Sequence, residues 1–240
     1  MYIFHHGGRS QRRMSAVLLA SCLLTSCAFS PPSRAPPPPA AVPAPPAATV
    51  PGYRIDPTQS LLQILVFRGG KLATLGHNHV IASHDLTGTV TRGDPLTATQ
   101  FDIAFSVAAL TIDEPELRRQ AGPDFQAEVP QNARDGTRRN LLSAAVLNAE
   151  HFAEIRLRSV DAVATQGGAF DVGVDIDIKG RTHRLRVPVE VVVAADQLSA
   201  TGELAVRQSE LGLTPFTALL GALAVEDRMI LRFTITARRS

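Results

Sequence analysis

Residues 171–193 read DVGVDIDIKGRTHRLRVPVEVVV. Before Lys179-Gly180-Arg181, Val172, Val174, Ile176 and Ile178 alternate with Asp171, Gly173, Asp175 and Asp177. After it, Leu185, Val187, Val189 and Val191 alternate with Arg184, Arg186, Pro188 and Glu190. Strict period two around a glycine-centred turn predicts an antiparallel hairpin with one wet and one dry face. Carboxylates facing guanidiniums across the wet side would help to hold the register. A lone hairpin is barely stable in water, so other strands must cover the dry face.

The neighbouring sequence supplies them. Tyr53 to Pro57 reads as a short strand and turn, and Leu61 to Arg68 as a strand apolar on nearly both faces, whose outside must be covered. Leu86, Gly88 and Val90 alternate with threonines, and Phe101, Ile103, Phe105 and Val107 with smaller or polar residues. Arg134 to Asn148 carries Leu141, Leu142, Ala145 and Val146 at helical spacing. Strands resume at Glu154 to Val160 and continue through the hairpin to Ser199 to Arg207. Thr214-Pro215 then reads as the start of a short apolar helix through Leu223, with Phe216 and Leu220 available to cover a barrel end. Arg228 to Arg238 closes the series with Met229, Leu231, Phe233 and Ile235 on one face.

About eight or nine strands, a helix after the fourth and no βαβ alternation predict an all-β domain with minor helix over residues 53–238. An antiparallel barrel of this length encloses more room than side chains alone fill, so an internal apolar cavity is expected. Its lining should include Val172, Val174, Ile176, Leu185, Val187, Val189 and Phe233, with Phe216 and Leu220 at the mouth.

The 240 residues carry a formal charge of +2, but four of the 24 basic residues precede Tyr53 and none of the 22 acids does. The domain itself is left with 20 basic residues and a balance of −2, which is not the footprint of a nucleic-acid binder. Arg9, Arg12 and Arg13 followed by the apolar run Ala16 to Leu24 read as an export signal over residues 1–27, since the run is too short to cross about 30 Å of hydrocarbon. Leu24-Thr25-Ser26-Cys27 resembles a bacterial lipobox, with Cys27 as the lipidated residue. Ten prolines and seven alanines over residues 28–51 make an extended tether. The expected location is the periplasm, with the domain held by its lipid to a membrane, and Ala28 after the cysteine favours the outer one. Cys22 and Cys27 are the only cysteines, so the domain has no thiol nucleophile and no thiolate metal site.

His77 and His79 are spaced to point the same way along a strand, with His84 placed to return on a neighbour and His183 a fourth candidate. Such a set could hold zinc or copper, form the polar end of a ligand cavity, or cap a turn beside Gly76 and Asn78. Otherwise no cofactor is expected. The chain contains no phosphate-binding glycine loop, no G-x-S-x-G elbow and no H-E-x-x-H helix. Asp171, Asp175 and Asp177 lie on the outer face of a strand.

Four segments resemble the YceI family in order and spacing. They are Tyr53-Arg54-Ile55-Asp56-Pro57-Thr58, Leu147 to Ile155, Ile178-Lys179-Gly180-Arg181-Thr182-His183, and Arg207 to Leu213. The Gly76-His77-Asn78-His79 run, Ala153 and the longer helical stretch depart from its usual pattern. The resemblance implies an exported lipocalin-like β-barrel that sequesters or shuttles a polyisoprenoid or similar amphiphilic lipid in its lumen. The competing reading is a metal-binding or metal-dependent enzyme domain built on His77, His79 and His84. An envelope structural protein with an occluded core is the third.

Overall fold

The hairpin of residues 171–193 is present. Strands β8 (Ala169–Ile178) and β9 (Arg181–Val193) pair antiparallel from Ala169↔Glu190 to Ile178↔Arg181. Lys179 and Gly180 both have positive φ, 49° and 71°, as a two-residue turn matched to strand twist requires. On the outer face Arg184 Nε donates to Asp175 Oδ1 at 2.7 Å, and Arg186 Nε to Asp171 Oδ1 at 3.2 Å. Arg158 to Asp177 and Arg156 to Asp102 carry the ion pairs round the wall.

The structure, a computed structural model, describes residues 52–240. The export signal expected over 1–27, the tether over 28–51 and Cys27 lie outside the described residues. The other strands are β1 (Gly52–Ile55), β2 (Leu61–Gly69), β3 (His79–Ser83), β4 (Thr87–Thr91), β5 (Gln100–Ser106), β6 (Thr111–Ile112), β7 (Glu154–Ala164), β10 (Gln197–Arg207), β11 (Thr217–Ala218) and β12 (Leu223–Arg239). The α-helices are α1 (Pro115–Ala121) and α2 (Gln131–Leu142).

Eight strands close a ring in the order β1-β4-β5-β7-β8-β9-β10-β12, and β12 returns to β1 at Tyr53↔Arg239. Closure removes the free edges that an open sheet exposes. β1 and β2 lie end to end along the 17-residue β12, joined by a 3-10 turn at Pro57–Gln59. Ser60 pins that corner: its hydroxyl donates to Thr236 O at 3.3 Å and accepts from Thr236 N at 3.0 Å. From β2 a second arm continues through β3 to β6.

That arm explains the doubly apolar β2. Leu62, Ile64 and Val66 face the barrel interior. Leu65 and Phe67 face outward into a second cluster with Val80, Ala82, Leu117 and Phe125. Helix α1 and the turn at Pro123–Phe125 supply the cover, with the Phe67 and Phe125 rings edge-on at 5.5 Å.

Two helical expectations change. Helix α2 starts at Gln131 and ends at Leu142, so Val146 and Leu147 descend into the core from turns. The helix expected over Pro215 to Leu223 is replaced by β11 and a turn at Leu219–Gly221. Leu219, Leu220 and Gly221 all have positive φ, which a right-handed helix cannot contain. The strands beyond the expected nine are β3 and the two-residue β6 and β11.

Candidate functional site

Alternation along the ring strands aims alternate side chains at one interior. The space between them is a cavity of about 270 Å³. Seven of the expected lining residues are there: Val172, Val174, Ile176, Leu185, Val187, Val189 and Phe233. The other two are not. Phe216 packs against the edge of the core beyond the cavity wall, and Leu220 projects wholly into solvent. Both were expected on a helix that the left-handed turn precludes.

The sequence reading assigned no ligand role to Leu62, Ile64, Phe101, Phe105, Leu141 and Leu147, which also line the cavity. The strand residues among them were legible from their own alternation. Leu141 and Leu147 were legible as apolar, but only the tertiary fold places α2 and its following turn over the gap between the two arms.

The lining is chemically uniform. Among the described residues, Thr99, Ser199 and Gln208 are its only polar side chains, and none of the lining side chains titrates. Thr99 Oγ1 accepts from Gly93 N at 3.0 Å, and Gln208 Nε2 donates to Glu226 O at 2.7 Å. The cavity can therefore solvate hydrocarbon; among the described residues no carboxylate, imidazole, amine or thiol lines it. Left empty, a void of this size forfeits about 6 kcal/mol of packing at roughly 24 cal/mol per Å³.

One wall is thin. β9 and β10 share a ladder only from Leu198↔Val193 to Thr201↔Glu190. Pro188 follows on β9 and has no N–H to continue it. Beyond this point Gly202 to Arg207 and Arg181 to Val189 are not paired with each other.

The histidines are arranged differently from the expectation. β3 starts at His79, so His77 precedes the strand, and the two rings stand 6.1 Å apart at 57°. His79 Nδ1 lies 2.6 Å from Asp113 Oδ2, and its Nε2 lies 3.2 Å from Thr137 Oγ1 on α2. Both ring nitrogens are thus occupied. His84 instead meets Glu114 at the surface, at 2.8 Å. His183 Nε2 is buried beside Gly212, on a strand separated from β3 by β10, β12 and β2, and has no hydrogen-bond partner among the described residues. Among the described residues no group of three or more His, Cys, Asp or Glu could hold a metal ion. The zinc or copper set is not assembled among the described residues, because His84 and His183 do not converge on His77 and His79.

Asp113 is the hub of this outer layer. Its carboxylate accepts from Val80 N at 2.9 Å and from the buried Arg118 Nη1 at 2.6 Å. Arg118 also donates to Asn78 O at 2.7 Å and Ala127 O at 2.8 Å. Burial alone would raise the Asp113 carboxyl; the His79 hydrogen bond and charge, Val80 N and Arg118 outweigh it and hold it below the usual range. Burial also lowers the His77 imidazole, helped by the charges of His79 and Arg118. The network ties β3, α1 and α2 together, and so holds in place the residues that roof the cavity.

Comparison with known proteins agrees with this architecture. The YceI-like domain family matches residues 53–237. BcnA of Burkholderia cenocepacia superposes with a TM-score of 0.54 at 13% identity, covering 76% of this chain and 98% of that one. A polyisoprenoid binding domain from Saccharophagus degradans, implicated in plant cell wall breakdown, gives 0.52 at 11% identity, covering 78% and 98%. None of the curated proteins compared with the chain matches it. With the family pattern running from the first barrel strand almost to the end of the last, the chain belongs to the YceI-like domain family.

Proposed function

We propose that the chain is an envelope lipid-binding protein that sequesters or shuttles a polyisoprenoid or similar amphiphilic lipid, its tail lying in the barrel cavity. The observation that carries this reading is an internal void of about 270 Å³ without a titratable side chain on its wall. The description of the Saccharophagus degradans neighbour as polyisoprenoid binding supports it. An apolar void of about 150 Å³ already takes up benzene. The larger one here accepts a short run of isoprene units, and a longer tail needs the wall to expand. The unladdered seam between β9 and β10 supplies that slack. The lipobox at Cys27 and the proline-rich 28–51 segment support a domain anchored by lipid in the periplasm, at the outer membrane, within reach of its ligand's source.

Mass spectrometry of the organic extract of purified protein tests the reading. Wild type should yield an isoprenoid-type lipid. Val174→Trp, which projects a large ring into the cavity, should yield little while keeping its far-UV spectrum. Equal recovery from both, or none from either, removes the carrier reading.

A further inference from the structure

Two turns at one end of the barrel present leucines to solvent. Leu219 is 64% and Leu220 109% exposed on the β11–β12 turn, and Leu75 68% and Leu72 39% on the β2–β3 turn. The turns are bound to each other: Leu72 N donates to Ala222 O at 2.8 Å. Gly70 makes the approach possible, since a Cβ there would stand 2.5 Å from Ala222 O. The four side chains therefore belong to one surface, assembled from segments about 150 residues apart.

The backbone holds this surface in an unfavourable conformation. Leu219 and Leu220 sit consecutively at φ 49° and 57°, a region that L-residues other than Gly, Asn and Asp rarely enter. Backbone outliers of this kind persist where the surroundings impose them, and they cluster at binding sites and switches. Here the effect is to turn both isobutyl groups away from the core that a helix would have joined.

Charge decides what the surface fits. From Leu211 to Val225 there is no charged residue, and from Gly69 to Gly76 only Lys71. Lys71 is thus the one charge within the turns; Arg68, whose Nη1 donates to Gly76 O at 2.9 Å, and Glu226, beside Gly69, flank their base, on a domain whose own balance is −2. A protein interface of standard size draws on roughly twenty residues a side and is enriched in aromatics and arginine. Aliphatic side chains beside a lysine suit the acyl boundary and phosphates of a bilayer instead.

We infer that the paired turns carrying Leu72, Leu75, Leu219 and Leu220 are a membrane-docking tip that inserts these leucines among the acyl chains of a lipid bilayer. The inference rests on the lipid-carrier reading only for its purpose, which is to bring the cavity to the lipid's source. The contact itself stands on the tip.

The chain has no tryptophan, so a single one reports without background. In full-length protein carrying Cys27→Ser, Leu220→Trp should shift its emission to the blue on vesicles of equal parts phosphatidylethanolamine and phosphatidylglycerol. Brominated acyl chains should quench it. Val192→Trp, exposed at the opposite barrel end, should do neither. In the same background, Leu219→Asp with Leu220→Asp should lower the vesicle-bound fraction at least about tenfold, with thermal unfolding unchanged. An unresponsive Leu220→Trp overturns the inference. So does a shift that follows protein concentration without vesicles, which would make the occupant a second copy. Docking without extractable lipid would refute the carrier reading alone, and extractable lipid without docking the tip alone.

Discussion

The ring of Phe233 occupies the space that a side chain at position 202 would need. A Cβ on Gly202 would lie 2.5 Å from Phe233 Cζ and collide with the Pro188 carbonyl oxygen. The glycine stands where the β9–β10 ladder ends, and Phe233 and Val189 separate the cavity from an outer groove lined by Gly202, Thr201 and Arg232. Gly202→Ala should push the ring inward or part the strands, costing about 1–3 kcal/mol as overpacking does. Urea unfolding measures that cost, and lipid extraction should show reduced loading. An unchanged midpoint would mean the wall gives way freely.

Asp113 and Arg118 form a buried pair, with side chains 0% and 8% exposed. Asp113→Ala strands the guanidinium and should cost about 3–5 kcal/mol. The pH dependence has a definite sign. The folded carboxyl lies below its unfolded value of about 3.9, so its contribution is fully present above that pH and is lost as pH falls through the lowered folded value. The stability gap between wild type and Asp113→Asn should therefore be constant from neutral pH to about pH 4 and narrow below it. A gap that closes between pH 7 and pH 5 would point to a different group.

His79 Nδ1 lies 2.6 Å from Asp113 Oδ2 and braces that carboxylate. His79→Ala should lower stability by about 1.5–3 kcal/mol, the range for a hydrogen bond to a charged group. The metal content of protein purified without chelator should be the same in wild type and in His77→Ala with His79→Ala. Stoichiometric zinc or copper lost in the double variant would restore the metal reading.

The anchor proposal turns on Cys27. Cys27→Ser should take up no labelled palmitate and be either soluble or unprocessed. A variant that still fractionates as the mature wild type removes the lipobox reading.

Sequence alone determined most of the strand pattern and part of the wall. Period two in 171–193, 101–107 and 229–235 is imposed by the pleat of each strand, so it names inward residues without reference to any partner. Seven of nine proposed lining residues follow from that local rule, and four short motifs were enough to indicate the family. Tertiary structure decided the rest, because the deciding contacts join distant segments. The apolar run at 216–223 has a helix's composition, but the Gly70–Ala222 approach and the pairing of β11 with β12 make it a turn with Leu220 outside. The spacing of His77 and His79 could not show that the strand begins at His79, nor that Asp113, 34 residues on, takes its ring. The doubly apolar β2 signalled a cover, and only folding showed it to be α1, since apolar surface specifies burial without naming what buries it.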